Sequence, residues 1–194
     1  MSNQPKIGER AVAELVAQVG RIAYGDGFSE GLTPAQWTAL RYFGRANRFS
    51  RTVSAFAEFH ATTRGTSSQT IKTLVKNGYL KRIPSEQDRR SACFDLTEKS
   101  LALLARDPFE SLVAAAGELS NTSRQVMARG LDQMLRVLAE QYGKKAFGVC
   151  PNCKYLRTGV CCTSNETEYQ CELLGESLIE SEIDQLCVNF LALR

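Results

Sequence analysis

Between residues 8 and 23 the apolar side chains Val12, Leu15, Val16, Val19 and Ile22 recur at intervals of three and four, which predicts an amphipathic helix stopped by Gly25 and Gly27. A second helix is expected from Thr33, an N-cap residue type followed by Pro34 at the first helical position, through Trp37, Leu40, Tyr42 and Phe43 to about Gly44. Ser50 or Thr52 can open a third, short helix carrying Val53, Phe56 and Phe59. A break at Arg64-Gly65-Thr66 then precedes a fourth helix. There Ile71, Leu74 and Val75 face inward, Ser67, Ser68, Gln69, Thr70, Lys72 and Lys76 face the other side, and Asn77-Gly78 ends the run.

After Gly78 the period changes to two. Residues 79–83 read as a strand closed by Pro84, and residues 91–96 return with Ala92, Phe94 and Leu96 alternating against Ser91, Cys93 and Asp95, so the polar residues 85–90 form the tip of a hairpin. Thr97 begins a further helix, and two more helical stretches follow around Asp107-Pro108 and residues 120–123; the last carries Val126, Met127, Leu131, Met134, Leu135 and Leu138. Residues 142–149 read as a connector. Near the end, Ser181 and Asp184 resemble a capping box, and Ile183, Leu186, Cys187, Phe190 and Leu191 share one face of an expected terminal helix.

Composition excludes some classes. The 194 residues are 43% hydrophobic and 23% charged, and no apolar run approaches the 18 residues of a membrane span. No basic stretch with a following apolar segment opens the chain, from which a cytoplasmic location is expected. The net charge of +3 conceals a division. Residues 1–149 hold 21 basic and 14 acidic side chains, residues 150–194 hold 3 and 7, and residues 41–90 alone hold 11 and 3. A local excess of +8 over fifty residues suggests a polyanionic partner, against the plainer alternative of a solvated basic face.

Three short helices followed by a hairpin, with positive charge over the third helix and the hairpin tip, describe a winged helix-turn-helix: mainly α, with a small β-hairpin wing. Residues 66–76 are assigned the major-groove role. Thr66, Ser67, Ser68, Gln69 and Thr70 can meet phosphates or base edges, while Lys72 and Lys76 neutralise phosphates. Arg89 and Arg90 suit the narrow minor groove, with Asp88 pairing Arg90 to hold the turn. Trp37, Phe43, Phe56 and Phe59 are expected in the core, and His60, the sole histidine, in a capping or packing role. With no phosphate loop, no acid–base constellation around His60 and no nucleophile motif, no enzymatic activity is expected.

At this point a resemblance becomes specific. Residues 32–40 (Leu-Thr-Pro-Ala-Gln-Trp-Thr-Ala-Leu) resemble the opening of the second helix in the MarR family of bacterial transcription regulators. Residues 65–82 resemble its recognition helix and first wing strand, and Asp88-Arg89-Arg90-Ser91 followed by Leu96-Thr97-Glu98-Lys99 resembles its wing signature. The likeness covers about residues 8–142. It implies a homodimer joined by N- and C-terminal helices, which binds a pseudopalindromic double-stranded operator and usually represses transcription, often with release by a ligand or oxidation. It further implies that Asp88 and Arg90 structure the wing and that Arg89 is the minor-groove residue. Ser100 stands where the family commonly has glycine. The division expected is therefore a DNA-binding and dimerisation domain over 1–142 and a cysteine-rich extension over 143–194, about which the resemblance says nothing.

Six of the seven cysteines lie in that extension, at 150, 153, 161, 162, 171 and 187. In a reducing compartment such a cluster points to metal or redox chemistry. Cys150-Pro151-Asn152-Cys153 places two thiols on one turn, and Cys162 and Cys171 complete a tetrathiolate set, with Cys161 and Cys187 as alternates. Soft sulfur ligands suit an iron–sulfur cluster, [4Fe–4S] by preference, or zinc. A metal-free thiol switch is the third reading. Cys187 is equally readable as a buried apolar side chain, and Cys93 as structural. The function expected is a repressor whose operator binding responds to an iron–sulfur centre or to redox state. A structural zinc module with a small-molecule effector is the alternative, and a cysteine-cluster electron carrier stands behind both.

Overall fold

A computed structural model of the chain describes residues 7–25, 29–84, 92–160 and 167–193. Local signals set most boundaries. Thr33 accepts from the Gln36 backbone while the Gln36 side chain accepts from the Thr33 backbone, a reciprocal cap that starts helix α2, Pro34–Arg45. Thr52 caps α3, Val53–Phe59, and Thr97 caps α5, Glu98–Leu104. Helix α4 is Arg64–Lys76, capped by Thr63, so the break between α3 and α4 falls at residues 60–63 and not at 64–66. There Ala61 takes a left-handed turn at φ 50°. Helix α1, Glu9–Gly25, precedes this group, and α6, Glu110–Gly117, and α7, Asn121–Gln141, follow it.

The hairpin is antiparallel, β1 Leu80–Pro84 against β2 Ala92–Leu96, with Leu80 opposite Leu96 and Pro84 opposite Ala92. Its tip, with the predicted Asp88, Arg89, Arg90 and Ser91, lies outside the described residues. The core sits between α2, α3, α4 and the hairpin: Trp37, Leu40, Tyr42, Phe43, Phe56, Ile71, Leu74 and Leu80 are buried. Edge and tilted ring contacts join Phe43 to Phe56 and Phe94 at centroid distances of 5.9 and 6.1 Å. Phe59, expected in the core, is 36% exposed at its margin, against Tyr42 and Phe147. His60 packs as expected, stacked on Phe56 at 5.4 Å. Burial lowers its pKa. Ser100 is buried at the start of α5, its hydroxyl donating to the Tyr79 carbonyl, so a side chain there ties α5 to the wing.

The C-terminal region departs from the expected single helix. It forms a three-stranded antiparallel sheet in the order β3 Leu156–Val160, β4 Thr167–Cys171, β5 Glu176–Leu178, followed by a one-turn helix α8, Glu180–Ile183. Beyond Ile183 the backbone bonds outward and not along a helix. Leu186 N–H donates to the Arg45 carbonyl (2.7 Å) and its own carbonyl accepts from Asn47 N–H (3.0 Å), while Cys187 N–H donates to Gly148 (2.9 Å). The apolar residues read as a helical face are a strand-like segment threaded against the end of α2, with Leu186 in the main core. Gly148 is where Phe190 crosses the connector: a Cβ there would stand 2.6 Å from the Phe190 ring.

Candidate nucleic-acid interface and cysteine site

Helix α4 is held from below and open above. Ile71 and Leu74 fix its inner face, and the exposed side carries Thr66, Gln69, Lys72 and Lys76, with Ser68 and Thr70 half-buried. The hydroxyls of Thr70 and Thr73 donate to the carbonyls of Thr66 and Gln69 (3.2 and 2.9 Å), which leaves their oxygens able to accept from an outside partner. Ser67 is not on this face. It is 1% exposed, packed inward, and its Oγ has no hydrogen-bond partner, so it is withdrawn from the set of groups able to touch a ligand. A residue missed from the sequence lies on the same side: Arg64, read as part of a break, is the exposed first residue of the helix.

The wing is anchored to this helix through its base. Thr97 Oγ1 donates to the Gly78 carbonyl at 2.8 Å, Lys99 Nζ donates to Asn77 at 2.9 Å and lies 4.0 Å from the centroid of the Tyr79 ring. The linker 46–52 also pairs with the wing. Arg51 accepts at its carbonyl from Phe94 N–H (2.9 Å), its guanidinium bonds Asp95 Oδ1 at 3.0 Å, and Thr52 bridges Cys93.

On the other side of the same linker lies the cysteine-rich region. Cys150, Cys153, Cys171 and Cys187 line one small pocket with Tyr155, Leu156, Leu178 and Asn189, although they come from four different places: a 3-10 turn, its end, the end of β4 and the segment after α8. Cys187, which the sequence left as packing or ligand, is thus brought to the other three. Cys161 and Cys162 lie outside the described residues. Cys93 stays apart, on the wing. Burial pushes the Cys150 thiol up to about 11, with the neighbouring thiols of Cys187, Cys153 and Cys171 acting in the same sense. Burial also raises Cys187, against a hydrogen bond from the Asn47 side chain that lowers it. Among the described residues no group of three or more His, Cys, Asp or Glu side chains is placed to hold a metal ion.

A separate cavity of about 550 Å³ opens between α2, α5 and α6, lined by Arg41, Tyr42, Phe59, Asp107, Phe109 and, from the tail, Leu186. Its size is that of a small-molecule pocket. No helix among the described residues is long and apolar enough to cross a membrane.

Helix-turn-helix, hairpin wing and flanking long helices define a winged helix-turn-helix protein. Residues 30–91 match the model of the MarR family, and the winged module of this chain is similar to that family's. Solved structures share the fold. A MarR transcriptional regulator from Methanosarcina mazei Go1 is 22% identical, covering 68% of this chain and 99% of its own, at a TM-score of 0.52. The S. aureus MepR–DNA complex is 18% identical over 68% and 96%, at 0.56. Wild-type MarR of E. coli in its apo form is 18% identical over 68% and 99%, at 0.51. A search of curated proteins found no match.

Proposed function

We propose that the chain is a homodimeric transcription regulator, a repressor, that binds a pseudopalindromic duplex operator with α4 in the major groove and the wing on the flanking backbone, and that a metal centre in the tail modulates this binding. The observation that carries the DNA reading is the exposed face of α4. It presents Arg64, Thr66, Gln69, Lys72 and Lys76 within the most basic stretch of the chain. The similar S. aureus MepR structure is a complex with DNA, which supports it. Dimerisation is supported by the apolar stripes of α1 and α7, where Leu15, Ile22 and Leu135 are 61%, 67% and 66% exposed. Four thiols at one pocket support the metal reading, and an iron–sulfur centre is the preferred occupant. The cavity at Arg41 and Asp107 favours a second input, a small-molecule effector.

Fluorescence anisotropy of the full-length protein with labelled duplex, across a salt series, tests the DNA reading. Lys72→Ala and Arg64→Ala should each weaken binding and reduce the slope of log affinity against log salt by about 0.9. Variants with the affinity and slope of the parent protein would remove α4 from the interface.

A further inference from the structure

We infer that the acidic tail is an intramolecular partner of the helix-turn-helix: its segment 182–188, seated on the linker 46–52 between α2 and α3, positions that linker and the wing for DNA, with Arg48 and Glu182 as the positioning pair. This rests on the DNA reading above and does not depend on any occupant of the cysteine pocket.

The seat is built from one short segment of each partner. Leu186 enters the main core, its N–H donating to the Arg45 carbonyl at 2.7 Å and its own carbonyl accepting from Asn47 N–H at 3.0 Å. Two residues on, Val188 N–H donates to Ser50 Oγ at 2.9 Å, and that hydroxyl donates to Asn47 Oδ1 at 2.7 Å. Asn47 and Ser50 are 1% and 0% exposed, so their polar groups are withdrawn from water and the tail backbone supplies partners to both residues. Charge points the same way. Arg48 donates to Glu182 Oε2 and to the Ser177 carbonyl, and its guanidinium lies 3.7 Å from Glu176. The Glu182 side chain is 10% exposed and also accepts from Ile179 N–H at 3.1 Å. The tail thus holds a fixed carboxylate against the cation of the linker.

The same linker carries the DNA-binding elements on its other edge. The Arg51 carbonyl accepts from Phe94 N–H at 2.9 Å, and its guanidinium bonds Asp95 Oδ1 at 3.0 Å. Thr52 pairs with Cys93 of β2 while its side chain caps α3. Residues 46–52 belong to no helix or strand ladder, so their path is set by these two groups of bonds, tail on one edge and wing with α3 on the other. Release of the tail frees the linker, and part of the free energy of DNA binding then goes into ordering the wing; the seated tail lowers that cost. The sign of the effect separates positioning from a plain charge effect. Glu182 is negative, and by its field alone its removal favours a polyanion. As half of the positioning pair, its removal weakens DNA binding.

The test uses full-length Glu182→Gln, Arg48→Ala and the double variant, with amide hydrogen exchange on the free proteins and anisotropy against a duplex selected by the parent protein from a randomised library. Glutamine keeps an acceptor for Ile179 N–H, so the tail of Glu182→Gln should stay folded. This variant should bind the duplex about 3-fold or more weakly, at an unchanged slope of log affinity against log salt. Its Asn47 and Phe94 amides should exchange at least about 3-fold faster, while that of Leu74 in α4 is unchanged. The double variant should bind no more weakly than Arg48→Ala, because the two side chains act as one unit. Arg48, with a side chain 43% exposed, gives the same exchange readout if loss of the Glu182 charge unfolds the chain. Unchanged or tighter duplex binding by Glu182→Gln, additive losses in the double variant, or equal acceleration at Leu74 would overturn the inference. A parent protein that selects no duplex would overturn the DNA reading instead, and exchange at Asn47 and Phe94 would still decide whether the tail positions the linker and the wing.

Discussion

Ser67 separates the face of α4 proposed to meet DNA from the face packed on the core. Its Oγ is buried without a partner, in a residue 1% exposed on a helix whose inner side carries Ile71 and Leu74. A desolvated hydroxyl with no hydrogen bond costs about 1–3 kcal/mol. Ser67→Ala removes that cost, adds a few tenths of a kcal/mol from the better helix propensity of alanine, and loses only the dispersion contacts of one atom, each worth about 0.1–0.2 kcal/mol. The net expectation is a stabilisation of about 1 kcal/mol. Urea unfolding of parent and variant at equal protomer concentration should show a higher midpoint at unchanged m, and Tm should rise by about 2–4 °C. Duplex affinity should stay within about twofold, whereas Gln69→Ala, two positions on and exposed, should lower it by about 1 kcal/mol or more. A Ser67→Ala protein destabilised by about 1 kcal/mol, or one that loses duplex affinity as Gln69→Ala does, would refute the placement.

The remaining predictions probe other parts of the fold. Asp107, 6% exposed, receives the Arg41 guanidinium on both oxygens and the Phe109 N–H on one; Asp107→Ala strands that cation and should cost about 3 kcal/mol in urea unfolding, with the double variant Arg41→Met, Asp107→Leu losing less. Burial lowers the His60 pKa below 6.5, so the unfolded chain takes up the proton first as pH falls. Stability from this residue is present above pH 6.5 and is lost as pH falls from there towards the depressed value, and His60→Gln should flatten that part of a stability–pH curve. Gly148→Ala places a Cβ in the Phe190 ring, 2.6 Å away, and should cost about 1–3 kcal/mol in thermal unfolding.

The winged module was largely legible because its signals are local. Thr33-Pro34, Thr52 and Thr97 are caps wherever they fall, and the alternation of Ala92, Phe94 and Leu96 fixes which side of β2 is inward. One polar residue misled: periodicity could not tell that Ser67 sits at the buried edge of α4, because a serine is acceptable on either side. The start of α4 was misplaced by three residues for a related reason, since Arg64-Gly65 reads as a break until Thr63 is seen to accept from Thr66 N–H. The shape of the tail was not legible. Ile183, Leu186, Cys187 and Phe190 keep a helical spacing, yet long-range backbone bonds to Arg45, Asn47 and Gly148 outcompete the helix, and no local pattern announces them. The convergence of Cys187 with Cys150, Cys153 and Cys171 depends on those same long-range bonds.

The proposal that a dimer reads duplex DNA by sequence through α4 fixes what a selection should enrich. The most direct measurement is repeated selection from a randomised duplex library by the full-length protein, performed in parallel with metal-loaded and chelated preparations. A dimeric reader should enrich a two-fold-symmetric sequence whose half-sites stand about one helical turn, roughly 10 base pairs, apart, with Gln69→Ala relaxing specificity within each half-site. Absence of any enriched sequence from both preparations would contradict it.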